Sequence, residues 1–131
     1  MNPSMTALAG DHRIIESALD RLAASLAAGQ LDTGLFRQVR ESIGGHYLRE
    51  EEFLVRLHAH EPGLTAKLRA QHDETLELAA RLDESLRAGE LADVGYLARR
   101  FLAIAQHNMI EEERDIFPLA ERCFDPEQQA P

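Results

Sequence analysis

The chain has 131 residues, 44% hydrophobic and 28% charged, which is the size and balance of one globular domain rather than a disordered chain. Its net charge of −9 argues against nucleic acid or an anionic membrane surface as a partner. No apolar run approaches the ~18 residues of a membrane span. The single cysteine, Cys123, cannot form an internal disulfide and reads as a small apolar residue near the end of the last helix. Residues 1–10 lack a basic stretch followed by an apolar one, so we expect no signal peptide and a cytoplasmic protein.

Ile14, Ile15, Ala18, Leu19, Leu22, Ala23 and Leu26 recur at helical spacing and predict a first helix over about residues 11–29. Asp11 is a plausible cap, Ser4 an earlier start, and Gly29 the stop. A second helix, over about 33–60, starts at Asp32 or Thr33 and carries Leu35, Phe36, Val39, Ile43, Leu54, Val55 and Leu57. Gly44 and Gly45 lie inside it, for a close helix contact or a kink. Glu61-Pro62-Gly63 breaks the chain. A third helix follows over about 64–88, with Leu76, Leu78, Ala79, Leu82 and Leu86 as its stripe and Gly89 as its close. The fourth is expected over about 93–123, with a kink or early end at Pro118, and residues from Asp125 onward read as a frayed tail. With no linker in sight, 1–131 is expected to be one domain.

The chain repeats internally. Setting His12 over His72 matches Arg21/Arg81, Leu22/Leu82, Ser25/Ser85, Leu26/Leu86, Ala28/Ala88, Gly29/Gly89 and Leu31/Leu91. A one-residue shift in the loop then aligns Asp32/Asp93, Gly34/Gly95, Ile43/Ile104 and two H-x-x-x-E-E-E runs, His46–Glu52 and His107–Glu113. The expected fold class is all-α: an up-down-up-down four-helix bundle built from a duplicated helical hairpin.

Counting from the turns levels the histidines. His12 lies 17 residues before Gly29 and His46 17 after it, while His72 lies 17 before Gly89 and His107 18 after it. All four should stand about 26 Å from their turns, with Glu50 and Glu111 one helical turn further on. Imidazoles and carboxylates converging in an apolar core are costly without a counter-charge. A two-metal centre with bridging carboxylates removes that cost, and iron, manganese and zinc all suit the donors.

These residues resemble the hemerythrin-like, or HHE cation-binding, family of four-helix bundles with a non-haem di-iron site. The pieces that carry the resemblance are Asp11-His12-Arg13, the run His46–Glu50, Gln71-His72, and His107–Glu113 with Ile116-Phe117-Pro118, which together span nearly the whole chain. The resemblance implies His12, His46, His72 and His107 as terminal iron ligands and Glu50 and Glu111 as bridges, with Glu112 a rival to Glu111. It implies two non-haem iron ions with carboxylate and oxo or hydroxo bridges, zinc or manganese being alternatives. Leu76 departs from the pattern, because oxygen-carrying members have a second histidine there. One iron should then lack a protein ligand or recruit another, such as Glu16. Tyr47, turned by about 100° from His46, is not expected to ligate. His58, His60, Glu51, Glu52 and Glu113 are expected at the surface.

The expected function is binding of O2, NO or peroxide at an open iron position, in sensing, storage or detoxification. An iron-responsive interaction module, or a redox enzyme acting on peroxide or NO, are the rivals. Monomer and homodimer both remain open.

Overall fold

The computed structural model describes residues 3–123, and within them the chain is all-helical, with no strand. Four long helices, α1 (Pro3–Ala27), α2 (Thr33–Leu57), α3 (Pro62–Ala88) and α4 (Leu91–Glu111), are followed by a π-helical turn, Glu112–Ile116, and a short α5, Phe117–Cys123. Both α1 and α3 pack against α2 and α4, an arrangement consistent with a four-helix bundle. No helix among the described residues is long and apolar enough to cross a membrane. The tail expected from Asp125 onward lies outside the described residues.

The turns follow from the repeated sequence. Gly29 and Gly89 take φ of 104° and 71°, a conformation that costs glycine nothing. In each, the glycine N–H bonds back to a leucine carbonyl (Leu26, Leu86) and the next N–H to a serine carbonyl (Ser25, Ser85). Asp32 caps α2, its Oδ1 accepting from the Leu35 N–H at 3.0 Å. Pro62 opens α3, where its missing N–H is not needed. Asp11 is no cap: α1 begins eight residues earlier, at Pro3, which leaves the Asp11 carboxylate free to act across helices.

Pro118 neither ends nor visibly breaks the last helix. A proline in a helix removes one N–H and crowds the carbonyl four residues back, here that of Arg114. The wider π turn over Glu112–Ile116 takes up the misfit, with the Phe117 N–H reaching back to the Glu112 carbonyl. α5 then continues.

Burial exposes a register that the letters hide. On α1 the buried positions are Met5, Leu8, His12, Ile15, Leu19 and Leu22; on α3 they include Thr65, Leu68, His72, Thr75, Ala79 and Leu82, each 60 residues later. On α2 the stripe is Val39, Ile43, His46, Tyr47, Glu50 and Leu54. Its buried match on α4 and beyond is Phe101, Ala105, Asn108, Met109, Glu112 and Ile116, each 62 residues later, not the 61 of the repeated letters. The second half is rotated by one residue.

Two apolar clusters hold the helices together. One is built around Leu19, Leu22, Phe36, Leu82, Ala98 and Phe101, with Phe36 and Phe101 edge to face at 5.6 Å. The other holds Met5, Leu8, Leu54, Leu57, Leu68, Ile116 and Phe117. The buried histidines and glutamates fall between the two.

The mid-helix glycines are not there for a close helix contact. A Cβ on Gly44 would meet nothing within 4 Å, one on Gly45 only the Arg49 guanidinium at 3.5 Å, and α2 runs through both without interruption. Gly44→Ala should therefore stabilise the protein by about 1 kcal/mol, a rise of a few degrees in thermal midpoint. A lowered midpoint would show that this position needs the absence of a side chain.

Candidate metal centre

Five buried side chains from four helical segments meet between the two apolar clusters: His12 from α1, His46 and Glu50 from α2, His72 from α3 and Glu112 from the π turn. One ligand atom from each of His12, His46, Glu50 and Glu112 can be chosen so that all lie within 4.8 Å of one another. The two carboxylates divide their oxygens. Glu112 Oε1 lies 2.9 Å from His12 Nε2 and 3.7 Å from His46 Nε2, and Glu50 Oε1 faces His46 Nε2 and lies 3.5 Å from His12 Nε2. The other oxygens face His72: Glu112 Oε2 at 2.7 Å and Glu50 Oε2 at 3.4 Å from its Nε2. Two carboxylates thus stand between an imidazole pair and a single imidazole.

A family model, the hemerythrin HHE cation-binding domain, matches residues 5–126. The chain belongs to this family. No curated protein and no solved structure gives a significant match.

In this hemerythrin HHE domain the outward nitrogens of two imidazoles are also held. His46 Nδ1 lies 3.0 Å from Asp11 Oδ2, which also accepts from Arg49 Nε and a terminal guanidinium nitrogen at 2.9 and 2.7 Å. His12 Nδ1 lies 3.1 Å from Glu113 Oε1. A carboxylate at Nδ1 keeps the proton there and turns the Nε2 lone pair inward, the tautomer a metal requires. Glu113 is thus not a purely solvated charge, as expected from the sequence, but reaches back to His12 with its side chain 43% exposed. The link from Asp11 to His46 was not legible in the sequence, since that partner lies on another helix.

Of the remaining expected site residues, the structure brings none into the cluster. The His107 side chain is 60% exposed and faces Glu111 at 3.0 Å. Glu111 turns towards α3, accepting from Lys67 Nζ at 3.0 Å and Gln71 Nε2 at 2.8 Å. The Gln71 and Lys67 hydrogen bonds hold its carboxyl below the usual carboxylate range. The His107–Glu111 pair keeps its helical spacing, but on the face one residue away from the centre. Glu16 is half-buried and stands outside the cluster. His58 and His60 are exposed, His58 Nδ1 lying 2.8 Å from Thr65 Oγ1. Glu51 and Glu52 are exposed too, Glu51 pairing with Arg69.

Tyr47 lies closer to the centre than its rotation from His46 suggested. Its ring stacks on His72, centroids 3.7 Å apart and planes 8° from parallel. Burial pushes its phenol pKa far up, so the hydroxyl stays protonated. Beyond this stack an open groove of about 560 Å³ reaches His72 from outside, lined by Gly44, Tyr47, Leu48, Arg69 and Leu76.

The donors fit a cation. His46 Nε2 and Glu50 Oε1 are buried at the middle of the cluster, facing each other, and neither has a hydrogen-bond partner beyond the other. Three imidazoles and two carboxylates gathered in an apolar interior are costly to bury without a cation, and nitrogen and carboxylate oxygen are donors a transition metal accepts. Without an ion, protons take its place. Burial alone would lower the imidazole pKa values, but hydrogen bonds to Glu112 and Glu50 outweigh it, raising His12 and His72 to about 9 and His46 to about 10. Burial would raise Glu50, yet the facing histidines hold it well below the usual carboxylate range.

Proposed function

We propose that this protein is a non-haem di-iron hemerythrin, binding O2, NO or peroxide at an open iron position within an up-down-up-down bundle made from a duplicated hairpin. The split of the carboxylate oxygens carries the reading. Glu50 and Glu112 each turn Oε1 to His12 and His46 and Oε2 to His72, so two ions side by side would share both carboxylates. His12 and His46 would hold one ion, His72 the other. Histidine nitrogens with carboxylate oxygens hold iron in both its ferrous and ferric states, so the bound pair supplies a one- or two-electron centre for a small ligand.

The chain's own residues do the rest. Asp11 and Glu113 fix the rings of His46 and His12. The apolar clusters on either side exclude water, while the groove past Tyr47 and Leu76 leaves a way to the His72 side for a molecule of diatomic size. That side has one imidazole where the other has two, so an ion there would keep more of its coordination open to such a ligand.

The deciding measurement is metal content per chain with the visible spectrum, in air and after anaerobic reduction. Iron close to two equivalents and a near-ultraviolet band that bleaches on reduction are expected. O2, NO and peroxide titrations then separate binding from turnover. A colourless protein holding zinc alone would overturn the di-iron reading.

A further inference from the structure

The second metal position has one oddity that its histidine count does not explain. Asn108 is fully buried one helical turn before Glu112, and its Oδ1 has no hydrogen-bond partner. The orientation of its amide is fixed from outside. Glu111 can only accept, so Gln71 must donate to it through Nε2, at 2.8 Å. Gln71 Oε1 is then the acceptor, and Asn108 must donate Nδ2 to it, at 3.0 Å. Lys67 anchors the far end of this chain of bonds on Glu111. Oδ1 is therefore the atom left over, and it is an oxygen with lone pairs, not a donor.

Its place in the fold says what it faces. In the burial register Asn108 stands 62 residues after His46, as Glu112 stands 62 after Glu50 and Met109 62 after Tyr47. Asn108 precedes Glu112 by one helical turn, as His46 precedes Glu50. Rotating one half of the bundle onto the other therefore puts Asn108 where the first half has its second imidazole. An amide oxygen is a hard neutral donor of the kind iron and manganese accept.

We infer that Asn108 ligates the second metal ion through Oδ1, in the position that mirrors His46. This rests on the two-metal reading above. The two positions then differ in kind. The first offers two imidazoles and two carboxylate oxygens; the second offers one imidazole, two carboxylate oxygens and an amide oxygen. Neutral oxygen binds divalent first-row ions less tightly than imidazole, so the ions load in sequence, the Asn108 position last.

The test titrates ferrous iron anaerobically into metal-free protein and counts equivalents for the wild type, Asn108→Leu and Asn108→His. The wild type should take up two equivalents, the second more weakly. Asn108→Leu, similar in volume but without a donor, should keep the first and lose the second. Asn108→His should bind both, the second at least tenfold more tightly than wild type. Circular dichroism and retention of the first equivalent report that the bundle is intact. If Asn108→Leu does not fold, Asn108→His decides: a weakened second equivalent sinks the assignment. Two unchanged equivalents in Asn108→Leu would also sink it, leaving the di-metal reading standing. A wild type that takes up one equivalent or none removes the di-metal reading itself.

Discussion

Glu112→Gln should abolish metal binding, whereas Glu111→Gln and His107→Ala should leave it near wild type. Glu112 is fully buried and sends one oxygen to His12 and the other to His72, so an amide there would leave one side without its oxygen and the other with a weaker, neutral one. The fall in affinity should exceed the roughly 10–100-fold that follows when only an outer partner of a ligand is removed. The metal-free protein should suffer as well. His12 and His72 would keep raised proton affinity from Glu50 alone, and breaking such buried pairs costs about 3–5 kcal/mol. Glu111, by contrast, is held by Lys67 and Gln71 away from the centre, and His107 is largely in water. Elemental analysis and chemical denaturation of the metal-free forms read both effects. Metal lost in Glu111→Gln and kept in Glu112→Gln would move the centre to the other glutamate.

The metal-free protein should lose stability as pH rises through about 9–10, and the loaded protein should not. His12, His46 and His72 titrate at about 9, 10 and 9 when folded, against about 6.5 for free imidazole. A folded pKa above the unfolded value means that the native state binds protons more tightly. Its stabilisation is complete below about pH 6.5 and is withdrawn as pH passes the folded values. Each tenfold gain in a ring's proton affinity on folding is about 1.4 kcal/mol, but the three rings share two carboxylates and their contributions do not add. The opposite limb comes from Glu50, whose depressed pKa gives stability above the usual carboxylate range that is lost in acid. A bound ion replaces the Nε2 protons, so loading at neutral pH should release protons, measurable by calorimetry in buffers of different ionisation enthalpy. A metal-free midpoint that does not fall between pH 7 and 10 would contradict the raised values.

Much of the centre could be read from the letters because it depends on local periodicity. His12 and His72 sit at matching places before equivalent glycine turns, and the structure keeps that match residue for residue in burial. His46 and Glu50 share a helix face by simple spacing. The placement of His107 and Glu111 outside the cluster has one cause. Their count from Gly89 is 18 where the other three counts are 17, and one residue is about 100° of rotation. The identical H-x-x-x-E-E-E run hid this, because matching letters are not matching faces. The apolar residues held the answer: Phe101, Ala105 and Ile116 lie in phase with Asn108 and Glu112, not with His107 and Glu111. What could not be read was contact between helices. Asp11 beneath His46, Glu113 beside His12 and Tyr47 on His72 depend on packing that no single helix encodes.

The triplet Glu111-Glu112-Glu113 has its own consequence. A lone histidine serves one helix phase only, so an insertion or deletion nearby swings it out of place. Three adjacent glutamates span about 200° of the helix circumference, and any such slip still presents a carboxylate inward. Here all three are employed at once: Glu111 tethers α3, Glu112 enters the centre and Glu113 steadies His12. The acidic run is redundant coding, which lets the anionic half of the centre survive a frame error that the imidazole half does not.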